Sequence, residues 1–234
     1  MKDIHAAVVR ELKKHVETEY RIGAERYFKE GIVLHGVRAC TVRRIAAESY
    51  RLIRSEPKPR IYRLCESLLR CGYSEEKTIA FEWTYRLQRK YEPADFMVFE
   101  SWLEKYVSTW GDCDDLCRHA FGPFVYRFPE CLPNVVRWTT SGNRWLRRGA
   151  AVVMIYSLRK GENLDAALQI ADALLRDEDY LVQNGYGWML KDASIVFPEQ
   201  VLDYVLAHRR EMPRRALRYA IERFNARERR EAMN

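Results

Sequence analysis

Glycine and proline are scarce, 11 and 8 among 234 residues, which excludes a collagenous or low-complexity chain. No stretch near the ~18 residues of a membrane helix is both apolar and uncharged, so no segment is expected to span a bilayer. The opening Met1-Lys2-Asp3-Ile4-His5 runs straight into mixed charged and apolar sequence, without the apolar core of a secretory leader. A cytoplasmic protein is expected. Six cysteines, at 40, 65, 71, 113, 117 and 131, show no framework of short even spacings, and they are expected to be reduced, small and buried. Cys113, Cys117 and His119 form a C-x3-C-x-H run that lacks a second ligand pair, so no metal is expected. A Gly-rich phosphate loop is also missing, and no cofactor is expected. Alternating apolar and polar residues, the mark of half-buried strands, are nearly absent.

What remains is helical. Hydrophobic residues make up 47% of the chain, enough for one substantial core, and a single domain over 1–234 is expected. Leu12, Val16 and Tyr20 recur four apart. Val42, Ile45, Leu52 and Ile53 share a helical face, and Phe96, Val98, Phe99, Trp102 and Tyr106 form another apolar stripe. Ser74 reads as the N-cap of a helix that carries Ile79, Phe81, Trp83 and Leu87, with Glu75 and Glu76 in its first turn. Comparable helices are expected to begin near 74, 111, 143, 179 and 213. That spacing, roughly 35 residues, is the period of helix-pair repeats. A helix pair cannot bury its apolar face alone, so such repeats stack, and stacking makes a curved face. The pattern therefore predicts an all-α fold of HEAT-like helix pairs forming a curved solenoid with a basic concave face.

The charge is uneven. Of a net +7, nine arginines against four glutamates between Arg209 and Glu231 supply +5. Further basic groups stand at Arg38, Arg43 and Arg44 and at Arg144, Arg147 and Arg148. In the last helix Arg214, Arg215 and Arg218 lie opposite the apolar Leu217, Ile221 and Phe224, and Lys191 is polar on its own helix. Positive side chains from comparable places on successive helices suit a phosphate backbone. A solvated basic surface without a partner is the plainer alternative.

Trp110-Gly111-Asp112-Cys113-Asp114-Asp115 breaks this trend with three carboxylates beside an indole. Helix capping accounts for at least one of them. Trp110-x3-Asp114, then Trp145-Leu146-Arg147-Arg148-x-Ala150, then Gly187-Trp188-x-Leu190-Lys191, together with His35-Gly36-Val37, Thr41-Val42-Arg43-Arg44 and Tyr27, resemble the AlkD-type alkylpurine DNA glycosylases from about residue 20 onward. Gly111 and Asp112 depart from what that family often carries, and Ile195 stands where a basic residue is common. The resemblance implies that Trp110 and Trp188 are the aromatic walls of the site. It implies that Asp114 is the catalytic carboxylate and that Arg148 grips the DNA backbone. Tyr27, Arg38, Arg43, Arg44, Arg144, Arg147, Lys191, Arg214, Arg215 and Arg218 are the expected DNA contacts. Trp83, Trp102, Trp138 and Trp145 read as core.

The implied chemistry suits these residue types. A purine alkylated at N3 or N7 is cationic and leaves as a neutral base, so no strong acid is required. An ionised carboxylate can stabilise the oxocarbenium-like sugar and position a water. Indole faces favour a sugar that gains positive charge. Nothing stands out as a Schiff-base lysine, so strand cleavage is not expected. The expected partner is double-stranded DNA containing alkylated bases, without a membrane, bound by a monomer. Two other readings stay open: a non-catalytic relative that recognises duplex or branched DNA shape, and a HEAT-like protein–protein scaffold.

Overall fold

The 35-residue spacing reappears as helix starts at Ser74, Trp110, Arg144, Tyr180 and Arg214, so every interval is 34 or 36 residues. The computed structural model describes residues 4–234; the expectation about Met1 to Asp3 lies outside them. Among the described residues there are helices and turns but no strand, as the periodicity predicts.

The chain divides into two compact units: residues through Asp95 with Lys105–Ala120, and Phe96–Glu104 with Phe121–Asn234. The first holds α1 (Ile4–Lys13), α2 (Thr18–Tyr27), α3 (Ala39–Ile53), α4 (Lys58–Leu69) and α5 (Ser74–Tyr85). Helix α6 (Asp95–Lys105) belongs mostly to the second unit, and α7 (Trp110–Asp115) returns to the first. A π-helical turn, Leu116–Phe121, follows α7 directly. The second unit continues with α8 (Gly122–Arg127), α9 (Leu132–Arg137), α10 (Arg144–Leu158), α11 (Leu164–Leu174) and α12 (Tyr180–Ala193). It ends with α13 (Pro198–His208), α14 (Arg214–Ala220) and α15 (Ala226–Met233).

The periodic helices form rows within each unit. In the first, α3 packs on α5 and α5 on α7; in the second, α10 packs on α12 and α12 on α14. Their apolar faces meet in cores where Trp83, Trp102, Phe81, Phe99, Phe121 and Phe124 are wholly enclosed. Burying a side chain of this size contributes roughly 1.5–3 kcal/mol. Trp138 and Trp145 are buried as well, so all four tryptophans read as core are core.

Helix starts follow local chemistry. The Asn143 side chain accepts from the Trp145 amide at the head of α10, and that of Asp179 accepts from Leu181 at the head of α12. Each satisfies one of the amides that a helix start leaves unpaired. Pro213 precedes α14 with its φ already set near the helical value.

Ser74 does not cap α5; Tyr73 occupies that position, without a side-chain bond, and Ser74 is the first helical residue. Glu75 and Glu76 are not solvated first-turn acids either. Both are buried. The Glu75 carboxylate accepts from the backbone amides of His35 (2.9 Å), Gly36 (2.8 Å) and Val37 (3.0 Å). It thereby fixes an extended segment that Gly36 turns at φ +99°. A Cβ at Gly36 would sit 2.8 Å from Arg21 Cβ, so the turn demands glycine twice over. The cysteines divide as well: Cys65, Cys113, Cys117 and Cys131 are buried, as expected, whereas Cys40 and Cys71 are exposed. Burial pushes the Cys65 thiol up to about 12, leaving it protonated and unreactive.

Candidate functional site

Trp110 opens α7 because Thr109 caps it. The Thr109 hydroxyl accepts from the Asp112 amide, and the Asp112 carboxylate in turn accepts from the Thr109 amide, a reciprocal capping box. Asp112 is also the buried partner of Lys77, with Nζ at 2.9 Å, and it accepts from the amide of Ser108 at 3.1 Å. Side-chain exposures of 4% and 2% put this ion pair in the interior. Removing one member of such a pair costs about 3–5 kcal/mol, since the other is left charged without compensation. The departure at Asp112 therefore has a structural explanation.

The third carboxylate of the cluster, Asp115, pairs with Arg43 at 2.7 Å, and Arg43 also binds Glu82. Burial works against the Arg43 charge, but Asp115 and Glu82 outweigh it and raise its pKa. His119, one turn further on, lies 3.7 Å from Asp115. Burial, opposed by Asp115 and reinforced by Arg43, holds its pKa below the ordinary value. Asp114 lies between these two networks on the same helix, half-buried.

The first unit brings Trp110 together with Tyr27, and adds a residue that the sequence did not reveal. Phe28, at the C-cap of α2, stacks on the Trp110 indole with centroids 5.0 Å apart and planes at 15°. Tyr27 meets the same indole edge-on at 6.0 Å while remaining 69% exposed. Trp110 thus has one face braced by Phe28. The adjacent aromatic pair Tyr27-Phe28 at a helix end was the available signal.

In the second unit, Arg148 is buried on α10 and donates from Nη1 to the carbonyl of Leu181 at the head of α12. Its stem lies over Gly185: a Cβ there would come within 3.1 Å of Arg148 Cγ. Three residues further along α12 stands Trp188, half-buried. Between them Gly187 lets α14 approach, since a Cβ at that position would lie 2.7 Å from the Ala216 carbonyl oxygen. The pair Gly185 and Gly187 therefore seats an arginine on one side of α12 and a helix on the other.

The expected phosphate contacts fall into two groups. Arg38 pairs with Glu17 and Arg44 with Glu48, both on the surface. Arg144 pairs with Asp179 (2.8 Å) and Arg147 with Asp177 (2.7 Å), and Lys191 pairs with Glu222 (2.7 Å). Arg147 also donates to the carbonyls of Ser141 and Gly142, tying the loop before α10. Arg214, Arg215 and Arg218 belong to the other group and line, with Tyr219, a cleft of about 430 Å³. Arg215 lies over the Tyr180 ring at 5.3 Å, and Arg214 donates to the carbonyl of Met233.

A family model described as DNA alkylation repair enzyme matches residues 8–224. The chain belongs to that family. Among solved structures, a predicted DNA alkylation repair enzyme from Enterococcus faecalis is similar with a TM-score of 0.80 and 18% identity, covering 91% of this chain and 98% of that one. The smu.31 protein from Streptococcus mutans UA159 is similar with a TM-score of 0.53 and 22% identity, covering 68% and 79% respectively. At these identities the likeness is one of fold. No curated protein matches. For this member of the DNA alkylation repair family, DNA is the expected substrate, and no helix among the described residues is long and apolar enough to cross a membrane.

Proposed function

We propose that this protein is a monofunctional DNA glycosylase that hydrolyses the N-glycosidic bond of cationic alkylated purines, such as 3-methyladenine and 7-methylguanine, in duplex DNA. The observation that supports it most is the match of residues 8–224 to the DNA alkylation repair family, within which the chain carries Trp110, Asp114, Arg148 and Trp188. On this reading the chain works as one HEAT-like domain over 1–234, monomeric, whose basic concave face follows the duplex.

The chemistry assigns each residue a role. The bond between C1′ and the purine nitrogen breaks heterolytically, and its electron pair neutralises the alkylated ring, so the base leaves without needing a proton. Positive charge develops on the sugar. The Asp114 carboxylate stabilises that charge and orients the water that adds to C1′, accepting the proton it releases. Trp110 and Trp188 offer indole faces to the sugar; Phe28, braced behind Trp110, keeps that ring from turning away. Arg148, held by the Leu181 carbonyl, is the guanidinium assigned to a phosphate of the bound strand. Asp112 and Asp115 serve the fold through Lys77 and Arg43. The catalytic role goes to Asp114 by its place in the Trp110-x3-Asp114 motif that resembles the AlkD-type glycosylases.

The test is release of free base from duplex DNA carrying N7-methylguanine. The wild-type protein should release it well above the spontaneous rate, and Asp114→Asn should reduce release by at least about 100-fold, the scale on which loss of an electrostatic stabiliser is felt. Duplex affinity of that variant should stay within a few-fold of wild type. Release no faster than in buffer would reject the enzyme and leave a shape-reading DNA binder.

A further inference from the structure

Away from these residues, the first unit gathers three groups with unlike ligand chemistry at one point. His5 lies on α1, Cys71 in the turn after α4, and Glu76 in the first turn of α5. Their nearest ligand atoms, one nitrogen, one sulfur and one oxygen, all lie within 4.8 Å of one another. His5 Nε2 is 3.5 Å from Cys71 Sγ and 2.8 Å from Glu76 Oε2. The other oxygen, Oε1, is bound by His35 Nε2 at 2.8 Å.

We infer that His5, Cys71 and Glu76 form a zinc(II) site, with His35 as the outer residue that aims the Glu76 carboxylate. Around one tetrahedral zinc, bonds of about 2.0–2.3 Å place neighbouring ligand atoms roughly 3.3–3.7 Å apart. The His5–Cys71 separation already has that length. The His5–Glu76 contact opens by about half an ångström when the metal replaces the proton between them. A mixed imidazole, thiolate and carboxylate set suits zinc rather than the oxygen-seeking calcium or magnesium. Cys71 is exposed, so a metal in solution reaches the site, and a water completes the fourth position.

The surroundings are built to hold these ligands still. His35 stacks flat on Tyr73, with centroids 4.0 Å apart and planes at 6°, and its own amide is held by Glu75. It meets Oε1 only, which leaves Oε2 turned toward His5 and Cys71. A ligating carboxylate in a metal site is commonly held in this way by a hydrogen bond from an outer residue. A hydrogen-bonded His–Glu–His cluster alone accounts for the two imidazoles; Cys71, whose thiol also donates to the Ser67 carbonyl at 3.4 Å, brings a third kind of ligand to 3.5 Å from the same Nε2. Four residues spread over 71 positions meet here, so no local spacing motif announces them.

The test uses the full chain, stripped with chelator under a phosphine reductant, then titrated with zinc against a chromophoric chelator and, separately, with cobalt(II). One zinc per chain is expected, together with an intense sulfur-to-cobalt charge-transfer band. Cys71→Ser should abolish the band, and His5→Ala should weaken zinc binding at least about tenfold. His35→Asn should weaken it by roughly 10-fold through the outer shell. Absence of a stoichiometric site in the wild-type chain would overturn the proposal, as would a cobalt spectrum without a sulfur band. Zinc affinity unchanged in a folded Cys71→Ser chain would do the same. Should a substituted chain fail to fold by circular dichroism, the wild-type cobalt spectrum decides.

Discussion

The cleft beside Arg147 and the cleft beside Arg218 both draw arginines from the starts of periodic helices, yet their walls differ in sign. The first, about 590 Å³, is lined by Arg147 together with Asp177, Glu178 and Asp179. The second, about 430 Å³, is lined by Arg214, Arg215, Arg218 and Tyr219, with no acid among them. An anion entering the first meets more negative than positive charge. One entering the second meets three guanidinium groups and an aromatic edge. Arginine clusters that look equivalent in the sequence therefore have different work: Arg144 and Arg147 fasten the heads of α10 and α12, and α14 offers its charge outward.

The contrast is sharpened most by removing the second cluster. Arg214→Ala, Arg215→Ala and Arg218→Ala combined should weaken duplex binding by roughly tenfold or more. They should also flatten the dependence of log affinity on log salt by roughly 2–3, about 0.9 for each phosphate no longer neutralised. Fluorescence anisotropy at several salt concentrations measures both. If the slope does not change, α14 does not lie on the phosphates. Arg147→Ala should have the opposite character. It leaves Asp177 without its guanidinium and the Ser141 carbonyl without a donor, so a loss of about 1–3 kcal/mol in urea unfolding is expected. Its salt slope should change by less than about one, the size of a single phosphate. A steep loss of DNA affinity without loss of stability would merge the two clefts into one binding surface.

The smallest effect concerns the histidine beside the paired arginine of the first unit. His119, beside the Arg43–Asp115 pair, has its pKa lowered from an ordinary 6.5, chiefly by burial. Its neutral form is favoured in the folded protein, so the unfolded chain binds the proton more readily. The contribution is fully present above about 6.5 and is lost as pH falls below that value. His119→Gln should therefore lose less thermal stability than wild type between about pH 6.5 and 5. Parallel melting curves would place the acid sensitivity elsewhere.

Helices and their starting points were legible because the signals are local. Asn143, Asp179 and Pro213 act within one turn of where they stand, and a period of roughly 35 residues emerges from such punctuation alone. The α7 cluster was legible only in part: the sequence shows three carboxylates, but not that Lys77 and Arg43 take two of them. Both partners lie far away in the chain, 35 and 72 residues off. For the same reason Glu75 reads as an ordinary first-turn acid until its bonds to residues 35–37 are seen. Phe28 escaped notice because the adjacent pair Tyr27-Phe28 marks an aromatic helix end without saying that a distant indole, Trp110, will stack on it. Charge signs along the chain were visible, whereas the neutralisation of Arg144 and Lys191 depends on side chains brought near by packing.

Gly187 gives the α12–α14 junction a property that the surrounding side chains alone would not reveal. With a Cβ only 2.7 Å from the Ala216 carbonyl and 2.9 Å from Tyr219 Cβ, the position acts as a shim of zero thickness beneath the basic helix α14. Because the nearest atoms at 216 are backbone, a descendant sequence that gains bulk at 187 cannot make room by trimming Ala216 and has to let its guanidinium-bearing helix ride outward. How closely the arginine-bearing helix lies against α12 is thus metered by a residue that has no side chain.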